Sequence, residues 1–82
     1  MKKTGVYILK CANGRFYVGS TDDIERRLQE HHRGKSKATK YLLPVELVKF
    51  IESSSLIEAR QLELSIKKQK SRKYIASLIT AT

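Results

Sequence analysis

Leu56, Ala59, Leu62 and Ile66 recur at helical spacing, and one acidic residue, Glu63, projects into their stripe between Leu56 and Ala59. The pattern predicts a helix here, capped by Ser55 with Glu58 three residues on. A carboxylate on a buried stripe is costly unless a cation or hydrogen-bond donors meet it. Either an Arg or Lys closing a structural ion pair or a bound metal ion satisfies that need, and the pattern leaves both open.

Toward the amino terminus the period changes. Val6 to Lys10 and Phe16 to Val18 are β-branched and aromatic runs around Ala12-Asn13-Gly14, the signature of a hairpin. A two-residue Asn13-Gly14 turn pairs Leu9 with Val18 and sends Tyr7 and Tyr17 to opposite faces. A three-residue loop, with Gly14 left-handed, pairs Leu9 with Tyr17 and puts both tyrosines on one face. After Gly19 a second helix is expected, with Asp22 as N-cap and Glu25 three residues on. Ile24 and Leu28 form its buried stripe, Arg27 and His31 lie beside that stripe, and Arg26, Glu30 and Arg33 point away. The helix ends near Gly34. Lys35 to Leu43 reads as a basic connection, Pro44 introduces a third strand through Val45, Leu47, Val48 and Phe50, and Ser71 to Ile79 reads as a short closing helix. The expected order is β-β-α-β-α-α, an α/β (α+β) fold in one small domain over residues 1–82.

Charge narrows the partners. Seventeen Lys and Arg against eight Asp and Glu give a formal charge of +9, which favours an anionic polymer, nucleic acid first. A ribosome-adjacent or merely soluble basic protein has the same composition. The single cysteine, Cys11, has no partner for an intramolecular disulfide and no ligand-spaced companion, so neither an oxidising compartment nor zinc is implied. No run approaches the ~18 apolar residues of a membrane span. A cytoplasmic protein is expected.

Gly5-Val6-Tyr7 followed by Tyr17-Val18-Gly19 resembles the paired tripeptides of the GIY-YIG nucleases. The similarity continues through Ser20-Thr21-Asp22, Arg27, His31, Gly34-Lys35, Pro44-Val45-Glu46-Leu47-Val48, Glu58-Ala59, Glu63 and Ile66-Lys67. In its length the chain looks like the small stand-alone bacterial members. The resemblance implies a three-stranded antiparallel sheet flanked by helices, and divalent-metal-dependent cleavage of DNA phosphodiesters, with DNA repair or recombination as a setting. It assigns Glu63 to one Mg2+ or Mn2+ ion and Arg27 to the scissile phosphate. Tyr7 would orient or deprotonate the attacking water, Tyr17 would hold the phosphate or a metal-bound water, and His31 would relay a proton or bind phosphate at the pocket edge. These roles require both tyrosines on one face, so the three-residue loop is the expected one. Gly5 and Gly19 would serve close backbone approach. Lys35, Lys37 and Lys40, then Lys67, Lys68, Lys70, Arg72 and Lys73, are candidate DNA-phosphate contacts, which makes binding salt-dependent.

The chain departs from the pattern at Val6 and Val18, at Leu42 where small bacterial members often carry arginine, and in having Asn13 as its one asparagine. A lone catalytic module of this size predicts sequence-tolerant or structure-preferring nicking. Two other readings remain: a non-catalytic nucleic-acid-binding module, and a subunit active as a homodimer or with a protein partner through Ile57 and Leu64, which lie off the main stripe.

Overall fold

β1 (Gly5–Lys10) and β2 (Phe16–Thr21) form an antiparallel hairpin closed by the longer of the two loops weighed from the sequence. In the computed structural model, which describes residues 2–69 and 71–80, the Gly14 N–H donates to the Cys11 carbonyl at 2.9 Å and the Cys11 N–H to the Arg15 carbonyl at 2.8 Å. Gly14 has φ 84°, a left-handed torsion that a side chain would strain, and this is the three-residue loop. Leu9 therefore pairs with Tyr17 and Tyr7 with Gly19, and both tyrosines face one side.

β3 (Glu46–Glu52) pairs antiparallel with the other edge of β1, so the sheet order is β2-β1-β3. The central strand is apolar on both faces because both faces are covered. Val6 and Ile8 join Val18, Ala59 and Ile66 under α2 (Leu56–Gln69) and α3 (Arg72–Thr80). Tyr7 and Leu9 join Cys11, Ile24 and Val45 under α1 (Ile24–His32) and the segment that follows it. The fold is the expected α+β sheet with three flanking helices in the order β-β-α-β-α-α. β2 keeps one edge free of strand pairing, and that edge positions the site.

Helix ends follow local chemistry. Ser55 Oγ accepts the Glu58 N–H and Ser71 Oγ the Tyr74 N–H, each at 3.2 Å. At α1 the expectation of Asp22 as N-cap is corrected: the cap is Asp23, whose Oδ1 accepts the Arg26 N–H at 3.2 Å. β2 runs through Thr21, and the Thr21 hydroxyl accepts the Asp23 N–H at 3.1 Å, which delays helix entry by one residue. Asp22 instead pairs with Arg26 at 2.8 Å, and that guanidinium lowers its pKa. Glu30 also departs from expectation. It does not point away from Arg27 but bonds its Nη1 at 3.0 Å, because residues three apart are neighbours on a helix surface. Gly34, with φ 74°, ends α1 and donates to the His31 carbonyl at 3.0 Å.

The lysine-rich connection is more than a solvated strap. Its lysines are exposed, but Ser36 and Thr39 turn inward and are buried. Among the described residues no helix is long and apolar enough to cross a membrane. Ile57 and Leu64 are 71% and 59% exposed, so α2 does present an apolar outer face.

Candidate functional site

Strand alternation divides the site between the two sides of β2. Tyr17 and Gly19 point to the α1 side, while Val18 and Ser20 point toward α2. On the α1 side the rings of Tyr7 and Tyr17 have centroids 6.2 Å apart, and the His31 ring lies 5.5 Å from one and 5.3 Å from the other. Gly19 makes this arrangement possible, since a Cβ there would stand 2.5 Å from the Tyr7 hydroxyl.

The Tyr7 oxygen is the centre of the network. Arg27 Nε donates to it at 3.1 Å, and His31 Nε2 lies 3.0 Å away. Arg27 is held in turn by Glu30 and, through Nη2, by Ser36 Oγ at 3.5 Å. Burial pushes the Tyr7 phenol up to about 12, and the bond from Arg27 opposes that rise. Burial also works against the Arg27 charge, but the bonds to Tyr7 and Glu30 outweigh it, so its pKa is raised.

His31 is not at the pocket edge. It is fully buried beneath the tyrosines, with Nδ1 2.7 Å from Thr39 Oγ1. Burial, aided by the Arg27 charge, lowers its pKa to about 4. The imidazole is therefore neutral at physiological pH, and in this arrangement it does not reach a phosphate. A stability effect follows from linkage. Unfolded histidine takes up a proton near pH 6.5, whereas His31 in the fold resists protonation until about 4. Its contribution is present above pH 6.5 and is lost as pH falls toward 4. Melting temperature measured from pH 8 to pH 4 is expected to fall across that window, and less steeply in His31→Gln; parallel curves would contradict the assignment.

Glu63 approaches from the α2 side. Its side chain is 18% exposed; Oε1 accepts from Ser20 Oγ, and Oε2 pairs with Lys67 Nζ, one helical turn on. The positive partner expected for this carboxylate is thus present within its own helix. The structure joins Tyr7, Tyr17, Arg27 and His31 in one cluster, while Glu63 meets β2 from the opposite face through Ser20.

Two concavities flank this point along β2. One, of about 280 Å³, is lined by Ser20, Arg26, Arg27, Glu30 and Arg60. The other, of about 390 Å³, has Phe16, Ile66 and Ile75 in its walls and Arg15, Lys67 and Arg72 around them. Arg72 lies over the Phe16 ring at 5.5 Å. Lys35, Lys37 and Lys40 are exposed on the far connection, with Lys40 over the ring of exposed Tyr41, and Lys67, Lys68 and Lys73 are exposed on α2 and α3. Lys70 lies outside the described residues. Among the described residues no group of three or more His, Cys, Asp or Glu could hold a metal ion.

Ser20, Ser36, Thr39, Glu30 and Arg60 contribute to the site without having been assigned roles from the sequence. Ser20 sits within the motif run. Thr39 and Ser36 carry no periodic or spacing signal, being small polar residues in a lysine-rich connection.

Comparison with known proteins supplies an independent line. Residues 3–75 match the family model for the GIY-YIG catalytic domain. A UPF0213 protein of Nitratidesulfovibrio vulgaris is 40% identical over 76 residues, covering 92% of this chain and 69% of that protein. A UPF0213 protein of Syntrophus aciditrophicus is 46% identical over 70 residues, covering 83% and 80% respectively. The solution NMR structure of a UPF0213 protein from Bacillus halodurans is similar with a TM-score of 0.60 and 35% identity, covering 95% of this chain and 83% of that one.

Proposed function

This chain belongs to the GIY-YIG family, and from that premise we propose that it is a divalent-metal-dependent endonuclease hydrolysing DNA phosphodiester bonds. The reading takes residues 1–82 as one nuclease domain, acting in the cytoplasm with low sequence specificity, in DNA repair or recombination. The observation that carries it is the buried Tyr7 oxygen on β1, met by Arg27 and adjoined by His31, while Glu63 reaches the neighbouring strand β2 from the other face. Ordinary core packing has no need of a buried phenol tied to a guanidinium that is itself partly buried.

The donor set suits a hard cation. Glu63 supplies carboxylate oxygens on a strand edge, and magnesium commonly takes one or two carboxylates and keeps several waters. Glu63 would hold the ion, with Ser20 orienting the carboxylate and Lys67 swinging aside. When bound, the ion supplies charge neutralisation and acidifies water. Arg27 presents its fork to the phosphate and offsets charge that grows in the transition state. Tyr7 orients the attacking water, and Tyr17 steadies the phosphate beside it. The +9 charge and the cationic concavities favour contact with the backbone rather than the bases.

One observation favours the second reading, a nucleic-acid-binding module without catalysis: Lys67 already neutralises Glu63. Nicking of supercoiled plasmid at low salt with Mg2+ or Mn2+ separates the two. Metal-dependent nicking is expected in the wild type, with its loss on chelation and in both Glu63→Ala and Arg27→Ala. Nicking that survives in Glu63→Ala would remove this centre from the reaction. Salt-sensitive binding with no cleavage by any form would favour the binding module.

A further inference from the structure

Thr39 has no exposed surface, and among the described residues its hydroxyl has one hydrogen-bond partner, His31 Nδ1 at 2.7 Å. His31 is equally buried, and its other nitrogen, Nε2, lies 3.0 Å from the Tyr7 oxygen. A neutral imidazole carries one N–H and one lone pair, so the role of one nitrogen dictates the role of the other. The two arrangements are unequal. If Nδ1 carried the proton it would donate to Thr39, and the buried threonine hydroxyl would have no acceptor for its own proton. If the Thr39 O–H donates to Nδ1, Nε2–H donates to Tyr7 and the Tyr7 O–H turns to the Tyr17 side chain, so every group is satisfied.

We infer that Thr39 is a positioning residue that locks His31 in the Nε2–H tautomer, so that the imidazole acts as a fixed donor to the Tyr7 oxygen. That oxygen then receives two N–H groups, from His31 and from Arg27 Nε, and its own proton is directed to Tyr17. The charged and titratable groups facing it are Arg27, Tyr17 and His31, with Glu30 behind Arg27. The catalytic part of this inference rests on the nuclease reading. Tyr7 first passes its proton to solvent by way of the half-buried Tyr17 hydroxyl. The phenolate, held by the two donors, takes a proton from the attacking water as the new P–O bond forms; the leaving oxygen departs with the electron pair of its broken P–O bond and takes its proton from solvent. His31 keeps its proton throughout, so it serves Tyr7 as an oxyanion donor and not as its base.

Long-range proton–nitrogen NMR correlations of the labelled imidazoles test the tautomer directly, with no reference to cleavage. A protonated Nε2 and a bare Nδ1 are expected for His31 at neutral pH in the wild type and in Thr39→Ser, and a mixed or reversed tautomer in Thr39→Val. Nδ1–H in the wild type overturns the inference, as does an unmixed Nε2–H form in Thr39→Val. Should Thr39→Val fail to fold, the wild type and Thr39→Ser still decide it. In nicking assays Thr39→Val is expected to lower kcat roughly 10-fold, the scale of a lost supporting bond, with KM unchanged. Its rate should rise with pH later than the wild type's, and Thr39→Ser should restore both. A lower kcat with an unmoved pH profile would make Thr39 merely structural. A chain without nuclease activity would fail the plasmid assay and leave the NMR result standing.

Discussion

Gly19→Ala is expected to lower nicking by about 10²-fold or more while leaving the chain folded. The added Cβ would stand 2.5 Å from the Tyr7 hydroxyl and 2.6 Å from the ring carbon that bears it, with Tyr17 at 3.1 Å. Tyr7 has little room to yield. Its ring packs against both Tyr17 and His31, its oxygen is tied to Arg27, and it is only 1% exposed. The phenol must move by a sizeable fraction of an ångström, and a displacement of ~1 Å in a reacting group costs about 100-fold. Overpacking of this kind also costs roughly 1–3 kcal/mol of stability, which a folded domain survives. Nicking rate and melting curve measured on the same preparation test this. An unchanged rate would mean that the Tyr7 hydroxyl takes no part in the reaction.

The other motif glycine should fail in the opposite way. A Cβ on Gly5 would overlap the Ile51 carbonyl oxygen, with the Phe50 ring at 2.9 Å and the Glu52 Cα at 3.0 Å. Two of these neighbours are backbone of the adjoining strand, so relief requires β1 and β3 to part where Gly5 pairs with Glu52. Gly5→Ala is expected to lose roughly 3 kcal/mol, the upper part of the overpacking range. Against a total of about 5–15 kcal/mol for a small domain, that is a large share. Urea unfolding should show a lower midpoint, and activity per folded molecule should be much less affected than in Gly19→Ala. A midpoint equal to the wild type's would show that the strands separate at little cost. The two glycines stand for similar letters in the motif and do different physical work, one making room for a strand and the other for a phenol.

The local elements could be read from the sequence because their causes are local. Gly14 set the loop, Ser55, Ser71 and Gly34 marked helix ends, and alternation around Tyr7 and Tyr17 fixed which face they share once the register was chosen. Two of the three misreadings, at Asp22 and Glu30, were local as well. Asp22 and Asp23 are both able to cap a helix, and the choice depended on how far β2 extends through Thr21. Glu30 reads as a solvent-facing acid on the helical wheel, but it is three residues from Arg27 and takes its guanidinium.

The order of elements, the family, the sign of the charge and the residues able to carry chemistry were all legible along the chain. So was the need of Glu63 for a positive partner. Packing alone brings Ser20 to that carboxylate, seals His31 beneath the tyrosines and sets Thr39 against it. Separation along the chain accounts for the difference. Periodicity and capping act over a few residues, whereas Ser20 and Glu63 are 43 positions apart and Tyr7 and His31 are 24 apart. Contacts of that span exist only after the sheet and helices have packed, and a buried hydroxyl such as that of Thr39 leaves no periodic trace in a sequence.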